Sequence, residues 1–117
     1  MRELLDLVID DASHLLEETR RAFDTLFARL RSGGLYIIED WSWAHVPSSF
    51  FWPDRTPLTV LIFETVLACA SVPGLIDEIA IDRAFACVRR GDAPIQEAGF
   101  DLSRCYDDRG SRLLGRS

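Results

Sequence analysis

The sequence predicts an α/β fold built on a parallel strand pair. Two short apolar runs, Leu5-Asp6-Leu7-Val8-Ile9 and Leu35-Tyr36-Ile37-Ile38, each end in an acidic pair, Asp10-Asp11 and Glu39-Asp40. A segment of helical period joins them, and strand, helix and strand in so short a span make a right-handed crossover with its strands parallel. A second apolar helix and an alternating hairpin pattern follow, so the expected order is β-α-β-loop-α-β-β.

Leu4 to Ile9 carries Val and Ile in a continuous apolar run, the pattern of a strand buried on both faces. Ser13 stands where a helix cap is needed, with Glu17 and Glu18 in the first turn beyond it. Leu15, Ala22, Phe23, Leu26, Phe27 and Leu30 recur at helical spacing, while Glu18, Arg21, Asp24 and Arg31 take other faces. Gly33-Gly34 is expected to stop this helix and turn the chain into the second strand. Trp41 to Arg55 reads as a loop rich in aromatics, with Trp41, Trp43, Phe50, Phe51 and Trp52.

Thr56-Pro57 is a cap followed by a first-turn proline. The helix it opens is apolar nearly all round, which predicts a sandwiched position, and Pro73-Gly74 ends it. Leu75 to Ile81 and Ala84 to Arg89 form the hairpin about Asp82-Arg83. Residues 1–91 therefore read as the structured portion and 92–117 as a C-terminal tail that orders only if it docks. The first strand has the composition of a central strand but no upstream neighbour. The chain is thus expected to begin within a domain and to leave an apolar edge open to pairing.

Composition narrows the function classes. With 117 residues and 48% hydrophobic content, the chain can build a real core. A net charge of -6 argues against nucleic acid as the main partner. All thirteen basic residues are Arg, which reads as codon bias and not as a functional signal. Cys69, Cys87 and Cys105 are odd in number and widely spaced, the pattern of reduced thiols rather than a disulfide or zinc framework. No basic stretch followed by an apolar run opens the sequence. The most apolar segment, Leu58 to Val72, is too short to span a bilayer and holds Glu64. A cytoplasmic protein without a membrane partner is the expectation.

The chemistry-bearing residues converge if the strands are parallel, because their C-terminal ends then lie roughly 5 Å apart. That edge is where open α/β sheets place ligands. Asp11, Glu39 and Asp40 offer only oxygen donors, the set suited to Mg²⁺, Mn²⁺ or Ca²⁺. His14, three residues after Asp11, has the side chain whose ordinary pKa suits a general base near neutrality. The same residues have plainer readings: acidic groups after strands serve as caps, and a histidine at a helix start is commonly solvated. Asp10 reads as a supporting or capping group, and His45 as structural.

The runs Ile9-Asp10-Asp11-Ala12-Ser13-His14 and Gly33-Gly34-Leu35-Tyr36-Ile37-Ile38-Glu39-Asp40 resemble the second half of class I S-adenosylmethionine-dependent methyltransferases. The likeness is to metal-dependent sugar O-methyltransferases of the macrocin and mycinamicin type, and to cephalosporin hydroxylase-like proteins. It is specific over residues 5 to 41 and weaker to about residue 91. The resemblance implies a partial Rossmann-like methyltransferase sheet that lacks the N-terminal cofactor-binding half. It implies Mg²⁺ on Asp11, Glu39 and Asp40, His14 as the base that deprotonates the acceptor hydroxyl, and Trp41 and Trp43 against a small-molecule substrate. The glycine-rich loop that binds S-adenosylmethionine in the family has no counterpart here, since Gly33-Gly34 precedes a later strand.

Three functions stay open at this level. The chain is a metal-assisted O-methyltransferase portion, inactive alone and completed by an N-terminal half or by homo-oligomerisation; or a non-catalytic metal-binding or interaction remnant; or a metal-assisted hydrolase. The absence of a Gly-x-Ser-x-Gly motif speaks against the last.

Overall fold

The computed structural model describes residues 4–11, 15–45 and 56–115. Four strands form one sheet: β1 (Leu5–Asp10), β2 (Leu30–Glu39), β3 (Ile76–Ile81) and β4 (Phe85–Arg90), in the order β1-β2-β4-β3. β1 and β2 are parallel, as the sequence predicts, and β4 runs antiparallel between β2 and β3. The hairpin is closed at Asp82, whose Oδ1 accepts from Ala84 N–H and Phe85 N–H, each at 2.8 Å.

Helix α1 (Leu16–Phe27) carries the β1-to-β2 crossover, and α2 (Thr59–Ser71) leads into β3. Phe23 and Phe27 of α1 are fully buried beside Tyr36 and Ile38 of β2, and Leu61, Ile62 and Ala68 of α2 close the same core. Phe23 stacks on Phe27 at 4.7 Å and meets Tyr36 at 4.8 Å. Among the described residues no helix is long and apolar enough to cross a membrane. The three cysteines are free thiols.

Several local expectations are corrected. α1 ends at Phe27, not at Gly33-Gly34. Leu5 N–H donates to the Arg29 carbonyl at 2.8 Å, which draws the chain into the sheet by Leu30. Gly33-Gly34 instead fills an irregularity inside β2, where Leu5 pairs with Leu30 but Leu7 pairs with Leu35. Gly33 has φ +83, and a Cβ on Gly34 would stand 3.0 Å from the Arg31 carbonyl and 3.1 Å from that of Asp6. Ser13 lies outside the described residues, and the cap of α1 is Leu15, without a side-chain bond.

Helix α2 is likewise capped by Leu58 and not Thr56. Its first turn is tightened by Val60 N–H to Pro57 O and Leu61 N–H to Leu58 O, at 3.1 and 2.9 Å.

β1 is not covered on both faces. Among the described residues it is one of the two edge strands, and Leu7 and Ile9 are 50% and 57% exposed while Val8 is buried. α2 is not sandwiched either, since Phe63 and Val66 face solvent. The segment after β4 does dock: α3 (Asp108–Leu113) follows a 3-10 turn at Leu102–Arg104, and Leu102 is fully buried. Leu102 N–H donates to Asp24 Oδ1 at 2.9 Å, tying the tail to α1.

Candidate functional site

The parallel register decides which carboxylates meet. Asp10 pairs with Ile38, the last rung of the β1–β2 ladder, so Asp11 and Glu39 each follow that rung at the same end of the sheet. Strand alternation separates the two aspartates. Asp10 shares the helix-covered face with Val8, Tyr36 and Ile38, all buried. Glu39 falls on the opposite face and is half-buried, and Asp11, just past the end of β1, is exposed.

Asp10 is engaged. The fully buried Tyr36 donates its phenol O–H to Asp10 Oδ2 at 3.0 Å. Burial pushes the Asp10 carboxyl above its ordinary pKa, the Tyr36 bond pulls it back, and the Asp11 charge raises it. Burial also pushes the Tyr36 phenol up, as does the neighbouring Asp10 charge.

Asp40 stands at φ +55, the only described non-glycine residue in the left-handed region. Asp tolerates this conformation better than most residues, and such outliers concentrate at functional sites. The surrounding bonds hold it there. Asp40 N–H donates to the Ala84 carbonyl at 2.8 Å, and the Asp40 carbonyl accepts from Trp43 N–H at 3.2 Å.

The β3–β4 turn buttresses the segment that follows. Trp41 Nε1 donates to the Asp82 carbonyl at 2.8 Å, and Ser42 Oγ donates to the Arg83 carbonyl at 2.6 Å. Trp41 packs partly against the core. Trp43 lines an open groove of about 310 Å³ together with Asp40, Ser42, Arg83 and Ala84. His45 hydrogen-bonds Thr59 Oγ1 at the start of α2.

His14 lies outside the described residues, so its placement relative to Asp11 is not described. Among the described residues, no three His, Cys, Asp or Glu side chains close into a group able to hold a metal ion. The donor chemistry of Asp11, Glu39 and Asp40 nonetheless suits a hard divalent cation, since all three side chains are carboxylates and they follow or end the parallel strands β1 and β2. Sequence reasoning had no view of Tyr36 as the partner of Asp10, nor of the Asp82–Ala84 turn as the brace for Asp40 to Ser42. Both depend on cross-strand register.

Known proteins share this part of the fold. The chain is 52% identical over 52 residues to demethylmacrocin O-methyltransferase of Streptomyces fradiae, a match over 44% of this chain and 13% of that protein. It is 50% identical over 42 residues to mycinamicin VI 2''-O-methyltransferase of Micromonospora griseorubida, over 36% of this chain and 10% of that one. The structure matches the MycE methyltransferase of the mycinamycin biosynthetic pathway, solved with Mg, SAH and mycinamycin VI, at a TM-score of 0.57 and 32% identity.

That structural match covers 75% of this chain and 26% of the MycE chain. No protein-family model matches. The chain thus resembles macrocin- and mycinamicin-type sugar O-methyltransferases and reproduces part of the MycE fold. It spans only between 10% and 18% of the curated relatives' lengths.

Proposed function

We propose that this chain forms the metal- and acceptor-binding edge of an S-adenosylmethionine-dependent sugar O-methyltransferase. The observation that supports the reading is the parallel pairing of β1 with β2 up to Asp10 and Ile38, which brings Asp11 and Glu39-Asp40 to the same end of the sheet, with Asp40 in a left-handed conformation. Residues 1–91 would be the methyltransferase-like portion and 92–117 a C-terminal tail, the described part of which docks through Leu102 and Tyr106.

Asp11, Glu39 and Asp40 would hold Mg²⁺, which when bound supplies fixed positive charge that favours ionisation of a neighbouring hydroxyl. S-adenosylmethionine, when bound, would supply the methyl group, its sulfonium sulfur leaving as a neutral thioether. His14, three residues beyond Asp11, would take the proton from the acceptor hydroxyl as that oxygen is methylated. Trp41 and Trp43 would offer aromatic surface to the acceptor. Positioning and charge supply the acceleration, and these residues do little covalent work. The segment that binds S-adenosylmethionine would come from an N-terminal half or from a second chain.

The test is thermal unfolding in Mg²⁺ or Mn²⁺. Saturating metal raises the melting temperature of the native chain, and Asp40→Ala abolishes that rise. An unchanged melting temperature in saturating metal would reject the site.

A non-catalytic binding role is the second reading, favoured by the exposed apolar positions Leu7, Ile9 and Phe85. A chain that binds metal but shows no calorimetric heat with S-adenosylmethionine, and that forms a defined assembly, fits this role.

A further inference from the structure

We infer that Tyr36 and Asp10 form a positioning pair that aims Asp11 at the metal-binding edge, and that Asp10 itself is not a ligand. The inference rests on the metal reading above and deepens it. In sequence, the tandem Asp10-Asp11 leaves either residue free to ligate. Across the strands their roles divide.

Tyr36 lies on β2 in register with Val8, two residues before Asp10 on the neighbouring strand. Its ring is locked with no exposed surface against Phe23, so its hydroxyl has a fixed position. From there the phenol donates to Asp10 Oδ2 at 3.0 Å and holds that carboxylate on the helix-covered face.

Asp10 is also the last residue of β1 in the ladder, and Asp11 is no longer part of the strand. The Tyr36 bond therefore fastens the end of β1 where the backbone ladder stops. With Asp10 turned inward, the exposed Asp11 that follows it is left to serve the edge at which Glu39 ends β2. A buried tyrosine hydroxyl needs a partner, so the same bond satisfies Tyr36 and orients the chain. Groups that orient ligands in this way commonly change metal affinity when they are removed.

The experiment measures the Mn²⁺ dissociation constant and the metal-free melting temperature for the native chain, Tyr36→Phe, Asp10→Asn, Asp10→Ala and Asp11→Asn. Asn retains an acceptor oxygen for the phenol, so Asp10→Asn stays within about 2-fold of native affinity. Tyr36→Phe and Asp10→Ala weaken Mn²⁺ binding by about 5-fold, and Asp11→Asn by more than about 10-fold.

Loss of binding in Asp10→Asn equal to that in Asp11→Asn would make Asp10 a ligand and overturn the assignment. A lowered melting temperature with unchanged affinity in Tyr36→Phe would reduce the pair to a structural bond and overturn it as well. Failure of the metal reading looks different: native chain without Mn²⁺ binding, or Asp11→Asn binding as tightly as native, removes the site and the positioning role together.

Discussion

Arg20 of α1 reaches across the helix interface to Glu64 of α2, with Nη2 at 2.5 Å and Nε at 3.1 Å from the same carboxylate oxygen. Glu64 has no exposed surface, and Tyr106 of the docked tail donates its O–H to the other oxygen at 2.6 Å. One buried carboxylate thus joins both helices and the C-terminal segment. This explains how a helix that is otherwise apolar tolerates a charge at its centre.

Removing one member of that group should be worse than removing the pair. Arg20→Ala leaves the Glu64 charge buried without its cation, and about 3 kcal/mol of stability should be lost. The double variant Arg20→Leu with Glu64→Leu should lie much closer to native. Tyr106→Phe should lose about 1 kcal/mol, one hydrogen bond's worth. Urea unfolding measures all three, and additive single losses in the double variant would contradict the coupling.

Asp24 gives the fold a pH dependence. Burial pushes its carboxyl up to about 6; the bond from Leu102 N–H opposes the shift, and the Asp101 charge adds to it. A carboxyl raised in the folded state favours folding while it is protonated. Its contribution is full below about pH 4, the range of an unfolded aspartate, and is lost as pH rises through 6. Asp24→Asn keeps the acceptor oxygen and removes the charge. It should stabilise the chain at pH 7 by about 1 kcal/mol, a figure discounted for the partial exposure of the group. The gain should close below pH 4, and a gain independent of pH would count against this origin.

The edge strand should make the chain associate. Among the described residues one edge of β1 has no strand beside it, and Leu4, Leu7 and Ile9 are each close to half exposed or more. Sedimentation of the native chain should show self-association, and Leu7→Lys with Ile9→Lys should reduce it with little change in melting temperature. A native chain that stays a single monomeric species would refute the prediction.

The strands and hairpin were legible in the sequence because Val, Ile and Leu runs stop at acids or turn residues. Asp10-Asp11, Glu39-Asp40 and Asp82-Arg83 marked their ends. Helix starts were not, because Leu15 and Leu58 cap by backbone geometry alone. The early entry into β2 was hidden as well, since it depends on Leu5 bonding Arg29 across the crossover. Docking of the tail rests on Asp24 holding Leu102 and Glu64 holding Tyr106, contacts between residues far apart in sequence.

At the candidate site, the parallel pairing of β1 with β2, each followed or ended by acidic residues, could be read directly. The division of labour between Asp10 and Asp11 could not, because it is set by Tyr36 on the neighbouring strand. The left-handed conformation of Asp40 was equally hidden, being held from the β3–β4 turn.

The central claim is that Asp11, Glu39 and Asp40 act together on one divalent ion. Calorimetric titration of the native chain with Mn²⁺, repeated on Asp11→Asn, Glu39→Gln and Asp40→Asn, tests it most directly. One ion per chain, with each substitution weakening binding by about 10-fold or more, is the expected result. No saturable heat in the native chain, or binding that survives all three substitutions, would contradict it.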